Sequence, residues 1–396
     1  MNKPSLKRAL AFALAMFVAV SLGACGGGPK PDVESGATAQ AEEGDASGGA
    51  RAVFSAKIGI SLPTQNLSHW NPYGVQLKSA FEAAGYEVDL QYGGDNDIYT
   101  QLTQIEDMIA GNCAVLVIAA IDGNSLTTVL AGAKEKNIPV IAYDRLIMDT
   151  DAVSYYVTFD NFLVGVKQGE YIEQTLDLKN AAGPFNIELI GGDPADTNAL
   201  YFYNGAMSIL SPYVDSGKLV IPSGQTEQLA VATEGWNTEK AQARFEDIIS
   251  SVGYGPNGKK LDAVWAANDS TAQGVTDALV NAGYTKDNFP ILTGQDCDFQ
   301  SVRNILAGLQ GMSVFKDTRT MVNRVVAMTE SIMRGEEPEF NDAETYDNGT
   351  GIIPSYLCEP LICTVDNWRE LLIDSGYHDE SLFSEVLAEI QPSPER

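Results

Sequence analysis

The chain has 396 residues and is 44% hydrophobic with well-spread aromatics, which suits two cores of ordinary domain size and excludes a disordered body. It carries 53 acidic against 25 basic residues, a formal charge of −28 at pH 7. Such an acidic surface favours solubility and repels nucleic acid and anionic lipid headgroups, so DNA and RNA are set aside as partners.

The N-terminus reads as a leader. Lys3, Lys7 and Arg8 form a positive start, and the apolar run 9–22 is too short for an ordinary spanning helix. It ends in Leu22-Gly23-Ala24-Cys25, an order that resembles the bacterial lipoprotein signal, in which cleavage before the cysteine leaves its sulfur to carry lipid. A plain secretory leader that happens to contain a cysteine is the simpler alternative. Residues 25–53 are rich in Gly, Ala, Ser, Pro and acid and contain nothing that builds a core, so they read as a flexible tether. Of the other cysteines, Cys113 and Cys297 adjoin predicted strands and read as buried thiols. Cys358 and Cys363, five residues apart, read equally as two thiols or as a small disulfide loop in an exported protein.

From Val53 onward apolar runs alternate with amphipathic stretches. Strands are predicted at 57–62, 87–92, 114–121, 138–143, 155–159, 186–191, 218–221, 263–267, 290–294 and 311–315. Helices are predicted between them, at 74–84, 99–110, 125–136, 162–176, 238–251 and 271–281. Almost wholly apolar strands separated by helices of this length point to an α/β fold with parallel sheets covered on both faces. So many units exceed one open sheet of usual size, so two doubly wound parallel-sheet lobes are expected.

Ligands of such sheets bind beyond the carboxyl ends of the strands. Here those ends are polar: Thr64, His69 and Trp70 after the first, Asp144 and Arg145 after "IPVIAY", and Asp193, Asp196 and Asn198 in "GGDPADTNA". Asn268 and Asp269 follow "AVWAA", Gln295 and Asp296 follow "PILTG", and Lys316 and Asp317 follow "MSVF". Any one of these is explained by helix capping, and Asp269 most readily. Six polar ends together, with Arg and Lys among them, are not.

The enzyme motifs are missing. There are two histidines, and no nucleophile elbow, phosphate loop, dinucleotide fingerprint, HExxH, CxxC or EF-hand spacing, so neither a metal nor a cofactor is indicated. Paired carboxylates of a glycoside-acting enzyme are not excluded by sequence. Yet Asp beside Arg or Asn has its pKa pulled down, whereas general acid work needs it raised. The set does suit a neutral polyhydroxyl ligand, because each hydroxyl both donates to ionised Asp and accepts from Arg, Lys or Asn. Arg145 beside Asp144 would also hold that acid ionised. Trp70 and Trp236, one in each half of the chain, are either core residues or flat faces for the C–H side of a sugar ring.

The segments "PTQNLSHW", "VLVIAAIDGNSL", "IAYDRLI", "SYYVTFDN", "GGDPADTNA", "ANDSTA", "TGQDCD", "VFKDTR", "TYDNGTGIIPSYL" and "LLIDSGY" occur in this order between about 57 and 377. Together they resemble the monosaccharide-binding proteins of bacterial ABC importers, in the multiple-monosaccharide and xylose-binding branch. The resemblance implies the periplasmic-binding-protein type I fold, two α/β lobes joined by a three-strand hinge. It places lobe one at 54–159 plus 317–348 and lobe two at 160–316 plus 349–390, with crossings near 160, after 316 and near 349–354. It also implies ligand-binding roles for His69, Trp70, Asp144, Arg145, Asn198, Trp236, Asn268, Asp269, Asp296 and Lys316. His69 stands where that branch often has Arg.

The function implied is non-enzymatic. A monosaccharide, such as xylose, glucose, galactose or arabinose, would be captured between closing lobes and delivered to an ABC permease with its ATPase. The protein would act as a monomer, held at the outer face of the cytoplasmic membrane, or in a periplasm, by lipid on Cys25. A sugar sensor feeding a chemoreceptor or kinase would share the site and differ in its partner. A secreted glycoside-acting enzyme would betray itself by turnover.

Overall fold

The computed structural model of the protein describes residues 56–66 and 70–390, so the leader, the tether, Cys25 and His69 lie outside the described residues. Strand and helix alternate as the apolar periodicity requires. The first run is β1 (Lys57–Leu62), α1 (Trp70–Ala83), β2 (Glu87–Tyr92), α2 (Ile98–Ala110), β3 (Val115–Ile118), α3 (Thr127–Glu135), β4 (Val140–Tyr143) and β5 (Val153–Phe159). The second is α4 (Asn161–Thr175), β6 (Phe185–Ile190), α5 (Thr197–Asp215), β7 (Leu219–Val220), α6 (Thr238–Val252), β8 (Ala263–Ala266), α7 (Asp269–Asn281), β9 (Ile291–Leu292), α8 (Phe299–Ala307) and β10 (Ser313–Phe315). The chain ends with α9 (Thr318–Arg334), β11 (Ser355–Cys358), β12 (Leu361–Cys363) and α10 (Ser384–Ile390).

Two sheets result, and both lie within the compact unit Ala52–Arg396. The first is wholly parallel, in the order β2-β1-β3-β4-β5-β11. The second is parallel in the order β7-β6-β8-β9, and the antiparallel pair β10-β12 continues it through the bridge Gln295↔Val314. Successive side chains of a strand take opposite faces, and here they divide cleanly between two cores. Val115, Val117, Ile141 and Tyr143 pack on the α1 and α9 side, while Leu116, Ile118, Val140 and Ala142 pack under α2 and α3. In the second sheet Ala263 and Trp265 join one core and Val264 and Ala266 the other. That two-sided burial is why these strands read as continuous apolar runs.

The chain passes from the first sheet to the second at Asp160, after β5, and back at Lys316–Asp317, after β10. The third crossing differs. Expected near 349–354, it comes at Glu359–Pro360, because β11 pairs in parallel with β5 from Ser355↔Tyr156 to Cys358↔Phe159. Residues 349–358 therefore belong with the first sheet, and Asn348 ties the preceding turn there through its Nδ2 donating to Ile147 O and Thr150 O at 3.1 and 2.7 Å. Cys358 and Cys363 consequently sit in different sheets, both buried, and are not joined to each other. Among the described residues, no helix is long and apolar enough to cross a membrane.

Candidate functional site

The C-terminal ends of β4, β6, β8 and β9 converge on a small cavity between the sheets. It is lined by Trp70, Asp144, Arg145, Asp196, Asn198, Phe202, Trp236, Asn268, Ser270, Gln295, Asp296 and Lys316.

Asp144 follows β4 in left-handed backbone, φ 64°, a conformation that costs a non-glycine residue free energy. Four hydrogen bonds hold it there. Its N–H donates to Val157 O at 2.8 Å, and its carbonyl accepts from Thr158 Oγ1 at 2.9 Å and Asn198 Nδ2 at 2.8 Å, with Tyr156 OH at 2.7 Å. Arg145 is fixed by Nη1 donating to Ala120 O at 3.1 Å, and its guanidinium lies 5.2 Å above the Trp70 ring. Its ion pair is made with Asp196, Nε to Oδ2 at 2.9 Å, so the acid that Arg145 engages comes from the second sheet. The sequence sets Arg145 only beside Asp144, and the pair with Asp196 adds a partner from the second sheet.

Asp196 caps α5, Oδ1 accepting from Asn198 N at 3.0 Å, while Oδ2 meets Arg145 and accepts from Trp236 Nε1 at 3.2 Å. Burial raises its pKa above the ordinary carboxylate value. Arg145 opposes that rise and Asp144 adds to it. Asn198 is largely committed to the junction between the sheets. Its Oδ1 accepts from Asn161 Nδ2 at 2.9 Å and lies 3.1 Å from Tyr156 OH.

Trp236 packs against Gly192, where a Cβ would come within 1.9 Å of the indole, and edge-on to Phe202 at 6.2 Å. Asn268 caps α7 through Oδ1 to Thr271 N at 3.0 Å, which leaves its Nδ2 uncommitted to the cap. Asp296, φ 100°, pairs with Lys316, Oδ1 to Nζ at 2.8 Å, both side chains being less than 10% exposed. Burial works against the Lys316 charge, but Asp296, then Asp144 and Asp196, outweigh it and raise its pKa.

Eight of the ten residues expected at the site thus line one cavity: Trp70, Asp144, Arg145, Asn198, Trp236, Asn268, Asp296 and Lys316. His69 lies outside the described residues. Asp269 is a correction: it points away from the cavity and is buried, accepting from Ser313 Oγ at 2.9 Å, Gln310 Nε2 at 3.1 Å and Asp298 N at 2.9 Å. Its carboxylate braces the turn that presents Gln295 and Asp296, and burial, with Asp298 and Asp296 adding, pushes its pKa well up. Asp196, Phe202, Ser270 and Gln295 were not among the expected site residues. Asp196 and Gln295 stand at polar strand ends in the sequence, whereas Phe202 and Ser270 carry no such signal.

The arrangement offers carboxyl acceptors, fixed cationic donors and two indoles around a small space, a set suited to hydroxyls and C–H faces. Residues 58–337 match the model of the periplasmic binding protein domain. The chain belongs to that family. It is 47% identical over 328 residues to a multiple sugar-binding periplasmic protein of Azospirillum brasilense, covering 82% of this chain and 90% of that one. The D-xylose-binding periplasmic protein of Escherichia coli is 34% identical, covering 82% of this chain and 92% of that one. Among solved structures, an ABC transporter solute binding protein from Clostridium phytofermentans with bound beta-D-glucose is 55% identical, with a TM-score of 0.80, covering 83% of this chain and 100% of that one. This periplasmic binding protein thus shares with its relatives the two-lobed α/β fold, in a family of binding proteins and not of enzymes.

Proposed function

We propose that this protein captures a neutral monosaccharide, a pentose or hexose, between its two lobes and hands it to an ABC permease. The observation that carries the reading is the pairing of opposite charges around one cavity. Arg145–Asp196 and Lys316–Asp296 are buried ion pairs that line it together with Trp70, Trp236 and Asp144. Paired charges are satisfied without a ligand of net charge, so what they still offer is directional donors and acceptors suited to hydroxyls. Relatives whose names specify several sugars or xylose, and a 55% identical structure holding glucose, support the same reading. Contacts from both lobes favour the closed form by their differential affinity for it.

The leader and Cys25 support a lipoprotein held at the outer face of the cytoplasmic membrane, or within a periplasm, with residues 25–53 as tether, working as a monomer beside its permease and ATPase. His69, preceding Trp70, is the residue through which the choice of sugar would be tuned.

A thermal-shift screen against xylose, arabinose, glucose and galactose tests the proposal. At least one sugar at a hundred times its dissociation constant should stabilise the protein by about 2.7 kcal/mol. No shift with any of them would refute it.

A further inference from the structure

The turn that presents Asp296 is strained over two consecutive residues, with φ 100° at Asp296 and 52° at Cys297, neither of them glycine. It is tied down on several sides. Asp296 N donates to Val314 O at 2.8 Å, Cys297 N donates to Ser313 Oγ at 3.0 Å, and His378 Nε2 lies 3.0 Å from Cys297 O. Ser313 stands directly opposite Cys363 in the antiparallel pair of β10 and β12. Opposed residues of such a pair project their side chains from the same face. The Ser313 hydroxyl reaches Cys297 from that face, so Cys363 projects toward Cys297 as well. Cys297 Sγ lies 3.8 Å from Ser313 O, and both thiols belong to one buried cluster with Phe315, Trp368 and Phe383.

We propose that Cys297 and Cys363 form a disulfide in the exported protein, one that anchors the strained Asp296 turn to β12 just past the third crossing between the lobes. The expectation that this bond forms in vivo rests on the extracytoplasmic placement proposed above. Both thiols are buried, at 1% and 0% exposure, and burial raises the Cys297 thiol pKa, so oxidation belongs to the folding chain and not to the finished fold. One cysteine thiolate attacks the disulfide of an oxidised dithiol catalyst, giving a mixed disulfide. The second thiolate displaces the catalyst, which leaves as a dithiol. Two S–H bonds are lost, one S–S bond is made, and two electrons and two protons pass to the catalyst. Cys113 and Cys358, on the first sheet, stay reduced.

The test is peptide mapping by mass spectrometry after alkylation under denaturing, non-reducing conditions. It is applied to full chain exported by a bacterium and to purified protein refolded in mixed oxidised and reduced glutathione. The expected result in both is a single linkage, Cys297 to Cys363, with Cys113 and Cys358 alkylated. Cys297→Ser should remove the linkage and lower the thermal midpoint by about 5 °C relative to the oxidised protein. Refolded protein with Cys297 and Cys363 both alkylated, or with Cys363 joined to Cys358, would overturn the pairing. Linkage on refolding but not after export would support the pairing and count against the extracytoplasmic placement. The mapping needs no sugar, so a failure to bind sugar does not touch it.

Discussion

Four hydrogen bonds through its main chain hold Asp144 at the edge of the cavity. The hydrogen bonds that fix its left-handed conformation use its main-chain N–H and carbonyl and survive the change, so Asp144→Ala should stay folded. Each charged hydrogen bond to a hydroxyl contributes about 1.5–3 kcal/mol, so sugar affinity should fall about ten- to a hundredfold or more. Calorimetry beside a melting curve checks both, and a variant that unfolds would show the residue to be structural. Asp196 gives a prediction in pH. Its folded pKa lies above the ordinary unfolded value of about 3.9, so between the two the native protein binds more protons than the unfolded chain. That group adds stability as pH falls through this window. In urea unfolding at about pH 7 and pH 4.5, wild type should therefore gain on Asp196→Asn at the lower pH, and an unchanged difference would contradict the burial of that carboxyl. At this scale the sequence shows polar strand ends but not their partners. Asp144 and Arg145 are adjacent in the chain, and yet the left-handed turn between strand and loop carries Arg145 to Asp196. Asp269 is misread because a capping position and a cavity position look alike until the direction of the side chain is known.

Glycines set two contacts between elements, and they separate site from scaffold. Gly192 lies under Trp236, and Gly192→Ala would drive a methyl to within 1.9 Å of the indole. The ring must move, so sugar affinity should fall at least about tenfold with a stability loss of about 1–3 kcal/mol. Gly165 and Gly205 bring the backbones of α4 and α5 together, where a Cβ on Gly165 would lie 2.0 Å from Phe202 O. Gly165→Ala should cost about as much stability or more, through two helices that cannot approach, with a smaller effect on affinity per unit of stability lost. Denaturant melts and titrations of the two variants decide the matter, and equal effects on binding would mean that the Trp236 platform is not specific. The apolar strands of both sheets are legible because burial on two faces leaves a run of Val, Ile, Leu and Ala. The helix α5 is not. Its buried stripe Ala199, Phe202, Ala206 and Leu210 is hidden among Leu200, Tyr201, Tyr203 and Met207, and Gly205 and Pro212 lower its helix propensity. β11 is missed because only its pairing with β5, nearly two hundred residues earlier, makes a strand of "SYLC".

At the scale of the whole molecule, two parallel sheets turn the carboxyl ends of their strands toward a common cavity, and buried polar contacts cross the junction there. Arg145 meets Asp196, and Asn198 meets the carbonyl of Asp144, so the lobes already share a network to which a ligand adds its own bonds. Closing on a neutral sugar asks no net charge of it, and the −28 of the chain enters only as solubility. The repeated strand and helix pattern carries this architecture into the sequence, while the third crossing depends on pairing far along the chain. Calorimetric titration of the purified protein with D-glucose, D-xylose, L-arabinose and D-galactose tests the central claim most directly. The account predicts one-to-one binding of at least one of these sugars, lost or weakened at least about tenfold in Asp144→Ala. A folded wild-type protein that binds none of them, or an Asp144→Ala variant that binds as tightly as wild type, would contradict it.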